Sequence, residues 1–269
     1  VEHPAVYEVC KDLERSGMEV TFLSVDRQGN LDMAEYIRAL RPDTLMVSIM
    51  HANNETGVIF PIDQLSRLAK ETDPSILFHT DATQTMGKLP IDLKNRMPHV
   101  DFLSFSGHKL HAPKGVGALF IRRGTPCRPF MIGGHQENGR RAGTENVAFI
   151  VAMARALELA AENHDKEEAY ILGLRDRLED KVLVERRRSE EDRRVVMSTA
   201  TPTGLSLLKC IDAPLDVQVA RQFGGLPPAD LERLEEVSKQ GAIPAKAIAD
   251  YRESLTKCIR VASAPRKSG

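Results

Sequence analysis

Three short apolar runs, each followed at once by a polar cluster, constrain this chain more than any other feature. Thr44 to Met50 is nearly continuous in apolar residues and leads into His51-Ala-Asn-Asn-Glu-Thr-Gly57. Ser75 to His79 leads into Asp81-Ala-Thr-Gln84, and Phe102 to Phe105 leads into Ser106-Gly-His-Lys109. Runs of this length between polar or glycine-bearing boundaries predict buried strands. Asp63 to Glu71, between the first two, has helical spacing. Short apolar strands alternating with helices predict parallel β-α-β units. In such sheets ligands bind at the carboxyl ends of the strands, so the three polar clusters fall on one predicted edge. A further strand, Gly117 to Arg123, follows the Gly/Pro-rich loop after Lys109.

A lysine at the mouth of a buried strand is costly if it is only structural, because an ammonium resists desolvation. It makes sense as the amine of a Schiff base, where burial and neighbours lower the lysine pKa and make the nitrogen nucleophilic. Lys109 is therefore a candidate, although Ser-Gly-His-Lys alone is a weak signal.

Around this centre the chain reads in order. Pro4 to Arg15 is a predicted helix with Val6, Val9 and Leu13 on one face, ended by Gly17. A strand is expected over Glu19 to Val25, a polar turn at 26–30, and a short helix from Leu31 to Leu40, stopped before Pro42. Gly133 to Asn146 is a second Gly-rich polar loop, feeding a helix from Val147 to about Glu162. Thr144 there is a candidate either for an anion contact at a helix start or for the helix N-cap. A second helix is expected from about Lys166 to Val184. The mixed-sign run 185–194 reads as a solvated helix end or linker. After a Gly/Pro break at 223–228, helices are expected at 229–239 and 244–258, and disorder at 262–269.

Several function classes are excluded by composition. A formal net charge of −1 gives no basic surplus for nucleic acid, and no apolar run is long enough to span a bilayer. No signal peptide is read at the start; the opening Val1-Glu2-His3-Pro4 looks like the middle of a fold. Cys10, Cys127, Cys210 and Cys258 are scattered without a C-x-x-C pair, which suits reduced thiols in a cytoplasmic setting. His108 and His111 have a spacing seen in metal sites, but no third ligand is evident and no metal is assigned.

A pyridoxal phosphate enzyme needs a lysine for the aldehyde, a carboxylate for the pyridine nitrogen, a donor to the ring's phenolate oxygen, a flat partner over the ring and an anion nest. Asp81, Gln84, Ser106, His108 and Lys109 offer these types at neighbouring strand ends. With Glu2-His3, Met50 to Gly57, His79 to Gln84, Ser106 to Lys109 and Arg140 to Asn146, the chain resembles the NifS-like cysteine desulfurases. These are a branch of the class V aminotransferase group with the fold-type I architecture. The resemblance covers roughly Val1 to Val184.

It implies an α/β fold, three-layer αβα with a mostly parallel sheet. The expected division is a partial cofactor-binding large domain at 1–164, a connecting helix and charged linker at 165–194, and a divergent, mainly helical or irregular and partly disordered segment at 195–269. By resemblance, Lys109 holds the cofactor and moves protons at the substrate α-carbon, and Asp81 pairs with the pyridinium nitrogen. Gln84 and Asn54 approach the phenolate oxygen and substrate. His3 stacks on the ring and takes part in proton transfer, Ser106 and His108 touch the phosphate, and Thr144 reaches the phosphate of a neighbouring subunit in a homodimer.

The implied reaction takes sulfur from L-cysteine, giving L-alanine and an enzyme persulfide for a sulfur-acceptor scaffold. The related alternatives are selenocysteine lyase and class V transamination; an alternative of another class is a non-catalytic remnant that only dimerises or binds. The family also carries a segment ahead of the glutamate-histidine pair, and a C-terminal cysteine loop followed by a carboxylate-binding arginine. Neither is matched here. Cys210 and Cys258 read as buried or incidental thiols, and no nucleophile is assigned.

Overall fold

A computed structural model of the chain describes residues 1–188 and 196–210. The chain divides into two compact units, Val1–Glu168 and Ala169–Gly269. The first holds α1 (Pro4–Arg15), α2 (Met33–Ala39), β1 (Met46–Ser48), α3 (Ile62–Thr72), β2 (Leu77–Asp81), β3 (Phe102–Ser106), a 3-10 turn (Gly107–Leu110), β4 (Gly117–Ile121) and a single turn α4 (Gln136–Gly139). The long helix α5 (Val147–Asp180) spans the division. In the second unit β5 (Val184–Arg188) pairs antiparallel with β6 (Val196–Ala200), and residues 202–210 are helical.

The sheet of the first unit has the order β1-β2-β3-β4. β1, β2 and β3 run parallel, and β4 returns antiparallel to β3. This is the expected α/β architecture with a mostly parallel sheet. The ladder outlasts β1: the Ile49 N–H donates to the His79 carbonyl and the His51 N–H to the Asp81 carbonyl. The carboxyl ends of the three parallel strands therefore lie on one edge, with Asp81 in register with Ser104.

Period-two alternation fixes which side chains face inward. Phe78 and Thr80 of β2 are fully buried, while His79 and Asp81 on the other face are half-buried. The inward face joins Ile62, Leu65 and Ala69 of α3 with Tyr36, Ile76, Val100 and Leu103 in one apolar core. The Tyr36 hydroxyl donates to the Leu65 carbonyl at 2.7 Å, satisfying the one polar atom this ring buries. Inside the same layer, Lys70 Nζ meets Asp101 Oδ2 at 2.7 Å, and that oxygen also accepts the Phe78 N–H. Arg122, just after β4, donates to the carbonyls of Leu93, Met97 and Val100 and ties the loop before β3 to the sheet.

Several expectations are corrected. Glu19 to Val25 is not a strand; it makes a single bridge, Val25 with Leu31. Its polar side chains bond to helix and loop neighbours instead, Ser24 to Glu35 and Glu19 to Arg41, so no backbone ladder holds it. The helix expected from Leu31 begins at Met33, because Asp32 Oδ1 caps the Ala34 and Glu35 N–H groups. The two helices expected between Val147 and Val184 are one. Asn163-His164-Asp165 contains no glycine or proline, and Asn163 Nδ2 bonds back to the Leu159 carbonyl, so nothing breaks the i→i−4 ladder.

Residues 185–188 of the charge run lie in β5 rather than in a helix end, with Arg186 paired to Asp176 and Glu179. The expected features at 223–228, 229–239, 244–258 and 262–269, with Cys258, lie outside the described residues. Among the described residues no helix is long and apolar enough to cross a membrane.

Candidate active site

The loops leaving the parallel strand ends bring most of the predicted residues to one edge. Asp81 closes β2; its Oδ1 accepts the Thr83 N–H at 2.8 Å in the turn that follows the strand. The other carboxylate oxygen has no hydrogen-bond partner among the described residues. Ser106 closes β3, and its hydroxyl meets His108 Nδ1 at 2.7 Å. Lys109 follows in the 3-10 turn, whose buried members are Gly107 and Leu110.

Lys109 is exposed, which corrects the expected burial of the amine at the strand mouth. The apolar contact of this turn is carried by Leu110, leaving the lysine to point away from the core. A lysine with a depressed pKa that the sequence reading missed, Lys88, lies beside Lys109. Lys88 is an exposed residue, but partial desolvation, and then the charge of Lys109, hold its pKa below the usual lysine value. Its Nζ reaches Gln84 Oε1 at 3.4 Å. Gln84, Lys88 and Lys109 thus form one polar group. The signal was available: Lys88 stands four residues after Gln84 in the same loop.

Backing this loop is α5. His164 Nε2 contacts the Lys88 carbonyl at 3.1 Å. Gly87 has φ +73°, and a Cβ there would lie 2.5 Å from Leu110 Cδ2 and 2.9 Å from Ala160 Cβ. Gly87→Ala is expected to cost about 1–3 kcal/mol in denaturant unfolding. It should also displace Leu110 and so the turn bearing Lys109. An unchanged unfolding midpoint would remove this close approach from the site's scaffold.

His3 is the N-cap of α1: its Nδ1 accepts the Ala5 N–H at 3.1 Å. That leaves Nε2 as the ring's other polar atom. The segment ahead of α1 is fastened to the sheet edge. Glu2 Oε1 accepts the Met50 N–H at 2.5 Å, and Asn53 Nδ2 donates to the Val1 carbonyl at 2.9 Å. Asn53 is buried and its Oδ1 accepts the Glu55 and Thr56 N–H groups, which closes the turn after β1. Asn54 is exposed in the same turn and bonds to none of the other candidates.

Thr144 is exposed before α5 and is not its cap. Asn146 holds that position, its Oδ1 accepting the Phe149 N–H at 3.3 Å. No described hydrogen bond joins Thr144 to the strand-end cluster. A cleft of about 270 Å³ lined by residues such as His51, Phe60, Asp63 and Arg96 contains none of the predicted site residues.

Burial also shifts the neighbours. His79 bridges Ser48 Oγ at 2.8 Å and Ser104 Oγ at 3.0 Å, and desolvation pushes its pKa down. Glu2 is pushed up to about 7, by burial first and with a contribution from the charge of Asp81, against the opposing Met50 hydrogen bond. A raised carboxyl pKa favours folding while the group is protonated. Its stabilisation is complete below the unfolded value and lost as pH rises through about 7. Relative to Glu2→Gln, wild type should lose roughly 2 kcal/mol between mildly acidic and mildly alkaline pH, with partial exposure already discounted. Parallel curves for the two proteins would contradict the shift.

The class V aminotransferase profile matches residues 1–200. The chain belongs to the class V aminotransferase family. Among its relatives, cysteine desulfurase 2 of Trichormus variabilis is 55% identical over 183 residues, which are 68% of this chain and 45% of the relative. Cysteine desulfurase NifS of Azotobacter vinelandii is 52% identical over 183 residues, 68% of this chain and 44% of that protein. Among solved structures, a NifS-like protein superposes with a TM-score of 0.65 at 41% identity, covering 69% of this chain and 51% of the other. DndA from Streptomyces lividans gives 0.62 at 38%, covering 69% and 53%. This class V aminotransferase chain therefore spans about half the length of the curated relatives it matches.

Proposed function

We propose that this class V family member is the cofactor-binding part of a pyridoxal phosphate-dependent cysteine desulfurase. The reaction removes sulfur from L-cysteine, giving L-alanine and an enzyme persulfide, for iron-sulfur cluster assembly or another sulfur acceptor. One observation carries the reading: parallel β2 and β3 end side by side, with Asp81 in register with Ser104 and Lys109 just beyond β3.

The residues present fit the cofactor. Asp81 has a carboxylate oxygen without a partner among the described residues, suited to a protonated ring nitrogen. Ser106 and His108 are donors suited to a phosphate. Lys109 is the amine for the aldehyde. When bound, pyridoxal phosphate supplies an electron sink conjugated to the substrate α-carbon.

The chain's own residues do the rest. Lys109 Nζ moves the proton at the α-carbon. His3 uses its Nε2, because Nδ1 is occupied by the Ala5 N–H. Gln84 and Asn54 are assigned to the phenolate and substrate side, and Thr144 to the phosphate of a partner subunit in a homodimer. Cys10, Cys127 and Cys210 are free thiols, in keeping with a reducing, cytoplasmic setting. Cys210 is exposed, which removes the buried reading for it; no thiol is assigned as the nucleophile.

The test is to load the purified chain with pyridoxal phosphate, record its visible absorbance, and assay sulfide release from cysteine. A new band together with sulfide is the expected result. A band without sulfide, but with amino transfer to a keto acid, would favour the transaminase alternative. The absence of a band would overturn the cofactor assignment.

A further inference from the structure

Glu2 has no part in the chemistry above, yet it is held where that chemistry occurs. Its Oε1 accepts the Met50 N–H at the end of β1, while its Oε2 is buried without a hydrogen-bond partner among the described residues. His3 follows it directly and caps α1. The carboxyl also feels the charge of Asp81.

Two anionic carboxylates sharing a partly desolvated place repel, and the proton goes to the one less well solvated. Glu2 has one oxygen without a partner, and burial is the main cause of its raised pKa. The other titratable groups facing it are Cys10 from α1, whose pKa burial and then the charge of Glu2 push up, and the Val1 amino group, which acts in the opposite sense to Asp81.

We propose that Glu2 is a positioning residue of this site: its carboxyl clamps the His3 segment to the end of β1, next to the Asp81 carboxylate assigned to the ring nitrogen. This rests on Asp81 serving a pyridoxal phosphate ring. It adds a residue whose role is to set the place of one group and the electrostatic surroundings of another, without touching the reacting atoms.

Two variants separate the clamp from the charge. Glu2→Gln keeps an acceptor for the Met50 N–H and is neutral at every pH; Glu2→Ala removes both. In the cofactor-free 269-residue chain, a carbon-13 NMR titration of the glutamate carboxyls should show one midpoint near 7 that is missing in Glu2→Gln. Cofactor affinity of wild type and Glu2→Gln should coincide near about pH 6 and diverge near about pH 8.5, where only wild type gains the second charge. Glu2→Ala should weaken affinity about tenfold at both, and Gln should rescue that loss at the lower pH.

A Glu2 midpoint at the ordinary glutamate value, or a Gln variant that behaves like Ala, would overturn the proposal while leaving the functional reading intact. Failure of the wild-type chain to take up cofactor at either pH would instead overturn the functional reading, and the assigned role of Glu2 with it.

Discussion

Lys109→Ala is expected to abolish retention of pyridoxal phosphate through gel filtration, together with the visible band of the loaded chain. An amine joined to the aldehyde holds the cofactor far more durably than the remaining donors, which only contact it. Arginine should fail as alanine does, because a guanidinium keeps its charge and its fork does not replace an amine nucleophile. Lys88→Ala supplies the contrast. It removes a charge next to Lys109 and the contact to Gln84, so affinity should fall without loss of the band. A band that survives Lys109→Ala and disappears in Lys88→Ala would reverse the two assignments.

The second large effect is on stability. Asp101 is 7% exposed and bonds at 2.7 Å both to Lys70 Nζ and to the Phe78 N–H. Lys70 also donates to the Ile76 carbonyl at 2.6 Å. Asp101→Ala leaves a largely buried ammonium without its counter-charge and a buried N–H without its acceptor. Such removals cost about 3–5 kcal/mol. Asp101→Asn keeps an acceptor for Phe78 and should cost roughly half as much. Urea unfolding followed by circular dichroism measures both. Equal losses in the two variants would mean that the charge, and not the backbone bond, carries the effect; a loss below about 1 kcal/mol in Asp101→Ala would contradict a structural role for the pair.

The parts of the fold that could be read from the sequence are those governed by local chemistry. Proline at the start and glycine after the end mark α1, and the observed helix runs from Pro4 to Arg15 as expected. The apolar runs of β2 and β3 predict their strands to within two residues, because burial on a parallel sheet demands such runs. What escaped depends on partners distant in sequence. Glu19 to Val25 alternates like a strand, yet alternation does not supply a neighbouring ladder. Separate helices are expected on either side of Asn163 to Asp165, although polar residues continue a helix as long as its backbone bonds are kept.

At the site, residue types and spacing led to Asp81, Ser106 and Lys109 but misjudged the environment. Lys109 is exposed, and Lys88, whose pKa is lowered, is brought beside it by the loop after β2. The role of Glu2 could not be read at all without β1, since its partner Met50 lies 48 residues away. The buried pair Lys70–Asp101 escaped for the same reason: nothing in either local stretch marks the other as its counter-charge.

The most direct single measurement is to reduce the pyridoxal phosphate-loaded chain with borohydride and locate the modified peptide by mass spectrometry. The expected result is one cofactor per chain fixed on Lys109, in a yield that drops when Asp81→Asn removes the charge at the ring nitrogen. Fixation on Lys88 or any other lysine, or a yield indifferent to Asp81, would contradict the joint grip of these two strand ends on one ring.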